Sequence, residues 1–372
     1  MALAWQVPLA RRDCPIPRLG VQGEYDEADY RYDEKNARLL FCQELGLQLT
    51  REYFSTGELK SEKREGPGGE HTMYYRYSRL GRLLSYTDVL GQEQGYDYDP
   101  QGRLIKTQLG TTVSTFDYDS LGQTKSINTS DSLSGQSVGI TLQYDEFGRE
   151  TLRSFDLNGV KQTLSQVYND VDGLTQRTLM EGTDVLRDET YGYDLRGRLT
   201  NYECIGPQSP VDPYGKVIQK QVFTFDPLDN ITLVMTYFDD KFNRARYFYD
   251  NPDKVQLSKV TNTHADYPPV INLRYNLDGH LIQDEEQRTL EYDALGRLIS
   301  VSEPSGGASK STNYTYTPLD NIAGNDDGSG QAQRFYQGDQ LANQVKGADS
   351  RTFMWGDNTA LAELQAGGVP KS

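Results

Sequence analysis

The sequence predicts an all-β protein, with β-hairpins laid side by side into one long, spiralling antiparallel sheet. Three observations carry that expectation. A heptapeptide turn signature recurs fourteen times, its starts 17 to 32 residues apart with a mean of about 23. The residues ahead of each copy alternate aromatic and polar, the period of a half-buried strand. The chain of 372 residues also holds 26 Tyr, with aromatics at 11% against only 36% hydrophobic residues overall. Such a chain folds, and its core is expected to be built largely of Tyr.

The elements follow in chain order. Residues 1–23 are a lead-in. Met1 to Ala10 is mildly apolar but lacks a basic leader and an extended apolar stretch, so no secretory signal peptide is read there. The array proper spans 24–347 in about 14 units. Its heptad has Tyr first, often Asp second, Gly fifth, often Arg sixth and Leu seventh. Clean copies are Tyr98-Asp99-Pro100-Gln101-Gly102-Arg103-Leu104, Tyr193 to Leu199 and Tyr292 to Leu298. Close variants start at Tyr53, Tyr77, Tyr118, Tyr144 and Tyr275, and degenerate ones at Tyr32, Tyr168, Phe225, Tyr249, Tyr316 and Tyr336. An aromatic or Leu stands two positions earlier, as at Tyr96, Phe223 and Tyr314, so each pair should share one face. Asp-x-x-Gly is turn chemistry: Asp caps local N–H groups and Gly accepts positive φ. Runs such as Arg103 to Thr107 read as the returning strand, and a second turn, for example at Gly110, leads onward. Ala37 to Thr50 is expected to support a short helix. The stretch Ile205 to Gly215 reads as an inserted loop, with smaller hairpin loops at Gly66 to Gly69 and Glu303 to Gly307. Beyond Gly324 the signature fades, and 348–372 reads as a frayed tail without a toxin domain. A lone hairpin is marginal, so neighbours must stack to bury the Tyr/Leu face, and strand twist coils so long a strip.

Charge and composition exclude several function classes. With 54 acidic against 38 basic residues the net charge is -16, which disfavours nucleic acid and anionic membrane surfaces as partners. No apolar run approaches a membrane span. Cys14, Cys42 and Cys204 form no disulfide framework, and with only His71, His264 and His280 there is no zinc signature. The acidic turns Asp170 to Gly173, Asn276 to Gly279 and Asn325 to Gly328 do not make an EF-hand loop and read as ordinary turn chemistry, so no metal is assigned. Phosphate loops and dinucleotide fingerprints are missing. Each conspicuous Asp recurs at one turn position, which argues for structure over catalysis. The recurrent Arg before Leu is expected to pair with the Asp of an adjacent turn, as a ladder along the sheet. Catalytic, cofactor-binding and metal residues are accordingly read as none, and the protein as no enzyme.

Tyr-Asp-x-x-Gly-Arg-Leu at this spacing, over roughly Glu24 to Gly347, resembles the RHS/YD-repeat family: bacterial RHS polymorphic toxins, the B and C components of insecticidal Tc toxin complexes, and animal teneurins. The missing animal-type leader points to the bacterial branches. The resemblance implies a hollow shell of spiralling β-sheet that encloses a toxic C-terminal domain and, in the Tc branch, needs partner chains. Bacterial shells end in a self-cleaving region rich in Asp-Pro-x-Gly; here Asp99 to Gly102 is a repeat turn and Asp212 to Gly215 lies mid-array, so no catalytic residue carries over. The expected function is a structural shell segment that encapsulates a cargo and takes part in its delivery, secreted or surface-located through a dedicated export system. Its expected partners are other RHS-type components or the enclosed toxin, without membrane insertion by this chain. The alternative is a surface module for carbohydrate binding or adhesion.

Overall fold

The computed structural model describes residues 16–19, 25–239, 241–304 and 310–365, and every regular element among them is a β-strand. The strands form a 22-stranded and a 10-stranded antiparallel sheet. The division falls at one residue, Leu273, between the strands Val270–Asn272 and Arg274–Tyr275. Val270–Asn272 pairs backward with Lys259–Thr261, and Arg274–Tyr275 pairs forward with Leu281–Gln283. The Leu273 N–H still bonds the Ser258 carbonyl at 2.9 Å. The hairpin meander therefore continues across the interruption.

Each heptad is one hairpin bend with a fixed chemistry. Tyr98 closes the strand Glu93–Tyr98 and pairs with Leu104 after a bulge at Asp97/Tyr98. The Asp99 N–H bonds the Arg103 carbonyl, the Gly102 N–H bonds the Asp99 carbonyl, and Asp99 Oδ1 accepts the Arg103 N–H at 2.9 Å. Gly102 takes φ +93°, a region L-residues avoid. The bulged first-to-seventh pairing recurs at Tyr53/Leu59, Tyr77/Leu83, Tyr193/Leu199, Phe225/Ile231 and Tyr316/Ile322. At the other end of the strands the turns are tighter, as at Leu45-Gly46 and Asn158-Gly159, where both residues have positive φ.

Two expectations need correction. Ala37 to Thr50 holds no helix; it is occupied by the strands Leu39–Glu44 and Leu47–Tyr53 joined at Leu45-Gly46. The period is two, with Cys42 and Glu44 buried on one face, and Gly46 at φ +76° ends the run. The array also continues past 347: Asp349–Gly356 and Thr359–Gln365 form a hairpin where a frayed tail was expected. Trp355 stands there for Tyr, and Asp357-Asn358 for the turn glycine, both at positive φ. Residues 366–372 lie outside the described residues, as does most of the lead-in; within it Ile16–Leu19 pairs with Tyr25–Tyr32. Of the expected loop Glu303 to Gly307, residues 305–307 are likewise outside.

The chain divides into two compact units. The first comprises Met1–Ser114, Asp131–Ser134 and Leu290–Ser372. Its core stacks Tyr75, Tyr86 and Tyr96 with centroids 6.3 and 6.4 Å apart, beside Met73, Phe335 and Ala342. Leu109, Met354 and Ala362 form a second cluster, so strands near the end of the chain cover strands near its beginning. The second unit, Thr115–Ser130 with Gly135–Thr289, packs Val234, Ala245 and Val260 against Phe223 and Tyr247. Its inserted loop is a docked element. Asp212 to Lys216 repeats the Asp-capped turn, Lys216 pairs with Asp266 at 2.5 Å, and the Tyr267 hydroxyl bonds the Asp212 carboxylate.

Turn glycines set the first prediction. Gly102 and Gly197 have φ +93° and +77°; a Cβ at Gly197 meets nothing within 4 Å, whereas one at Gly102 runs into the Arg82 guanidinium. Gly197→Val isolates backbone strain and is expected to cost about 1 kcal/mol or more, and Gly102→Val at least as much. Gly197→Asn should cost less, because Asn enters the left-handed region more readily. Urea titrations giving equal midpoints for all four proteins would remove this account of the turn.

Candidate functional site: the joints between repeats

What the repeat builds is a joint between successive hairpins, and three kinds of contact make it. The first is a phenol reaching back one repeat. Tyr98 donates its hydroxyl to the Leu83 carbonyl at 2.9 Å, Leu83 being the seventh residue of the preceding heptad. The same bond runs from Tyr53 to Leu39, Tyr144 to Thr124, Tyr168 to Glu150, Tyr193 to Leu174, Tyr316 to Leu298 and Tyr336 to Ile322, all between 2.8 and 3.0 Å. Trp355 continues the series with its indole N–H on the Leu341 carbonyl at 2.7 Å.

The second contact is the sixth-position Arg lying over the aromatic ring of the next heptad. Arg149 covers Tyr168 at 4.9 Å, Arg198 covers Phe225 at 4.7 Å and Arg297 covers Tyr316 at 4.9 Å. The third is ionic. Each of these Arg residues bonds the Asp of its own turn through Nε, at 2.6 to 2.7 Å. Its Nη1 reaches the next turn, to Asp172, Asp229 and Asp320 at 2.7, 2.7 and 2.8 Å. The expected Arg–Asp ladder is therefore present, with an anchor in the same turn added to the rung between turns. Those three Asp occupy the fifth position, where Gly is the rule, at φ +62°, +67° and +65°. Cationic partners also act on the carboxylates: the Arg198 guanidinium holds Asp194 below the usual carboxylate range.

The residues singled out as calcium-like do turn work. Asn169 Oδ1 accepts the N–H groups of Val171 and Gly173, and Asn276 Oδ1 those of Asp278 and His280. Asp327 bonds Ser329 and Lys346. Burial pushes the Cys42 thiol up to about 12, a poor setting for a nucleophile; Cys14 lies outside the described residues. Sequence reasoning missed two capped turns of the same kind. Asp88 accepts the N–H groups of Leu90 and Gln92, and Asp284 binds Arg288 through backbone and side chain. Asp88-x-x-Gly91 was the available signal, hidden because Thr87 stands where Tyr usually does.

A buried polar seam in the first unit was also missed. Gln94 donates to Thr107 at 2.8 Å and to the Trp355 carbonyl at 2.7 Å. Asn343 donates to Asp88 at 2.7 Å and to Thr352 at 3.0 Å. Arg297 also reaches Glu44 at 2.8 Å, both nearly buried. At the turn tips the opposite holds: Leu80, Leu121, Phe147, Val171 and Leu228 stand exposed at the fourth heptad position.

Residues 123–345, more than half of the chain, match the Teneurin YD-shell family, and residues 77–114 match the RHS Repeat family. No curated protein sequence matches the chain. Among solved structures, TcdB2-TccC3 superposes at a TM-score of 0.54 with 13% identity, over 91% of this chain and 21% of that one. The Tc holotoxin pore of Photorhabdus luminescens superposes at 0.53 with 12% identity, over 92% and 22%. The chain thus spans about a fifth of the length of these structures.

The joint makes two predictions. Tyr98→Phe and Tyr193→Phe delete only the hydroxyl that bonds a carbonyl, and each should cost about 1 kcal/mol in urea unfolding; no loss at either site would strip the phenol of its role. Burial also raises the phenols of Tyr75, Tyr86 and Tyr96. In the folded chain they hold their protons above the ordinary value near 10, while unfolded chains release them there. The unfolded state then binds fewer protons, so stability should fall as pH rises past about 10. Stability that stays flat through that range would contradict the buried phenols.

Proposed function

The chain belongs to the YD-shell family of RHS/YD-repeat proteins, and from that premise we propose that it forms a segment of the container wall of a Tc-type bacterial toxin. In this reading it is a non-enzymatic wall that other YD-repeat chains complete. The wall encloses a toxic cargo and takes part in its delivery outside the producing cell.

One observation carries the proposal: the chain's chemistry is consumed by joints between hairpins. Phenols, guanidinium groups and turn carboxylates bond one repeat to the next, which is what a wall of indefinite length requires. The regular aromatics support the wall over a sugar-binding module. Tyr75, Tyr86 and Phe116 are buried, with no free face for a pyranose, and the hydroxyls of Tyr98 and Tyr193 are already donated to backbone carbonyls.

Mixing the purified chain with separately expressed YD-repeat shell components, followed by size exclusion with light scattering, tests this reading. A stoichiometric complex that protects a fused reporter from protease is the expected result. A monomer that ignores such chains yet turns over a sugar or peptide substrate would place the protein in another class.

A further inference from the structure

We propose that the first unit contains a binding site for a small oxyanion, phosphate or a free carboxylate, in the cavity lined by side chains of residues 49–75 and of the strand Gln331–Gln337. The site is independent of the wall function.

The cavity holds about 110 Å³, room for several waters or a small anion. Its walls carry three guanidinium groups, Arg51, Arg64 and Arg334, and the ring of His71, against a single carboxylate, Glu62. That carboxylate is already engaged, since Arg51 bonds it at 2.6 Å across neighbouring strands. In a chain of net charge -16 this is a local excess of cations.

Arg64 is 8% exposed, and its bonds go to neutral acceptors, the Arg334 carbonyl at 2.6 Å and Gln333 Oε1 at 2.9 Å. The Phe335 ring lies 3.7 Å from its guanidinium carbon and seals one side. Burial pulls Arg64 down to about 10 against the pull of the nearby Glu62 carboxylate; it is still charged at neutral pH and makes no salt bridge among the described residues, Glu62 being held by Arg51. Arg334 Nη1 is buried with no acceptor. Arg64, Arg334 and Tyr336 line the same cavity. A buried cation lacking a partner is costly, and a buried N–H without an acceptor adds to the cost. An oxyanion removes both defects, offering several acceptors in the fork geometry that guanidinium prefers.

Titration calorimetry of the whole chain with sodium phosphate, against chloride of equal ionic strength, reads the site directly. Saturable one-site binding is expected, with acetate competing, and Arg334→Gln should weaken it roughly tenfold or more. Phosphate also stabilises proteins by exclusion from their surfaces, so a thermal rise alone is not the criterion. Binding that is unchanged in Arg334→Gln, or no saturable heat up to tens of millimolar, overturns the site. Should that variant fail to fold, phosphorus NMR decides on the wild type. Line broadening of phosphate that sulfate reverses supports the site, and unbroadened lines refute it.

Discussion

A single hairpin cannot bury its own aromatic face, and the recurrent bond from a Tyr hydroxyl to the preceding repeat's carbonyl makes burial a property of neighbours. The phenol spans the joint at 2.8 to 3.0 Å in repeat after repeat. The carbonyl it meets belongs to the seventh residue, the first to re-enter the strand after the bend. Because that residue also pairs with the first-position aromatic of its own heptad, one bond fixes both register and spacing. The preference for Tyr over Leu at this position follows. Only an aromatic with a polar tip can pack its body on the sheet and reach backbone one repeat away, and Trp355 meets the same requirement through its indole N–H.

The fifth position illustrates how local strain and long-range charge are coupled. Most heptads place Gly there because φ is positive. Where Asp172, Asp229 and Asp320 replace it, the preceding heptad ends its turn with Arg149, Arg198 or Arg297, and each reaches across at 2.7 to 2.8 Å. Short polar residues tolerate that backbone region better than most, and the guanidinium then lies between the next turn's carboxylate and the next heptad's ring. Sequence departures from the repeat are thus compensated one unit upstream, a coupling that operates across the joint.

The turns and the strands flanking them were legible because their chemistry is local: Asp caps, Gly bends, and alternate residues share a face. The misread segments were those where partners lie far away in the chain. Ala37 to Thr50 looked helix-compatible until Leu45-Gly46 is recognised as a two-residue turn. Residues after Gly324 bury polar side chains beside the apolar ones, and Asn343 and Thr352 find their partner in Asp88, some 260 positions earlier. No window of sequence contains both halves of that seam. The polar lining around Arg64 was equally invisible, because it takes shape only when Phe335 and Arg334 arrive from a distant strand.

The polar seam has a consequence for how the first unit closes. A hydrophobic interface between two strand layers tolerates sliding, since any apolar neighbour serves about equally well. Asp88 instead demands Asn343 and Thr352, Gln94 demands Thr107 and the Trp355 carbonyl, and Arg297 demands Glu44. Displacing one layer by a single residue would leave these groups buried and unpaired, at about 1–3 kcal/mol for each neutral group and more for each charge. The repeats are nearly alike, so similar joints would support many registers between the layers. The seam is where the sequence stops repeating, and that loss of periodicity lets a chain of near-identical hairpins close in one register.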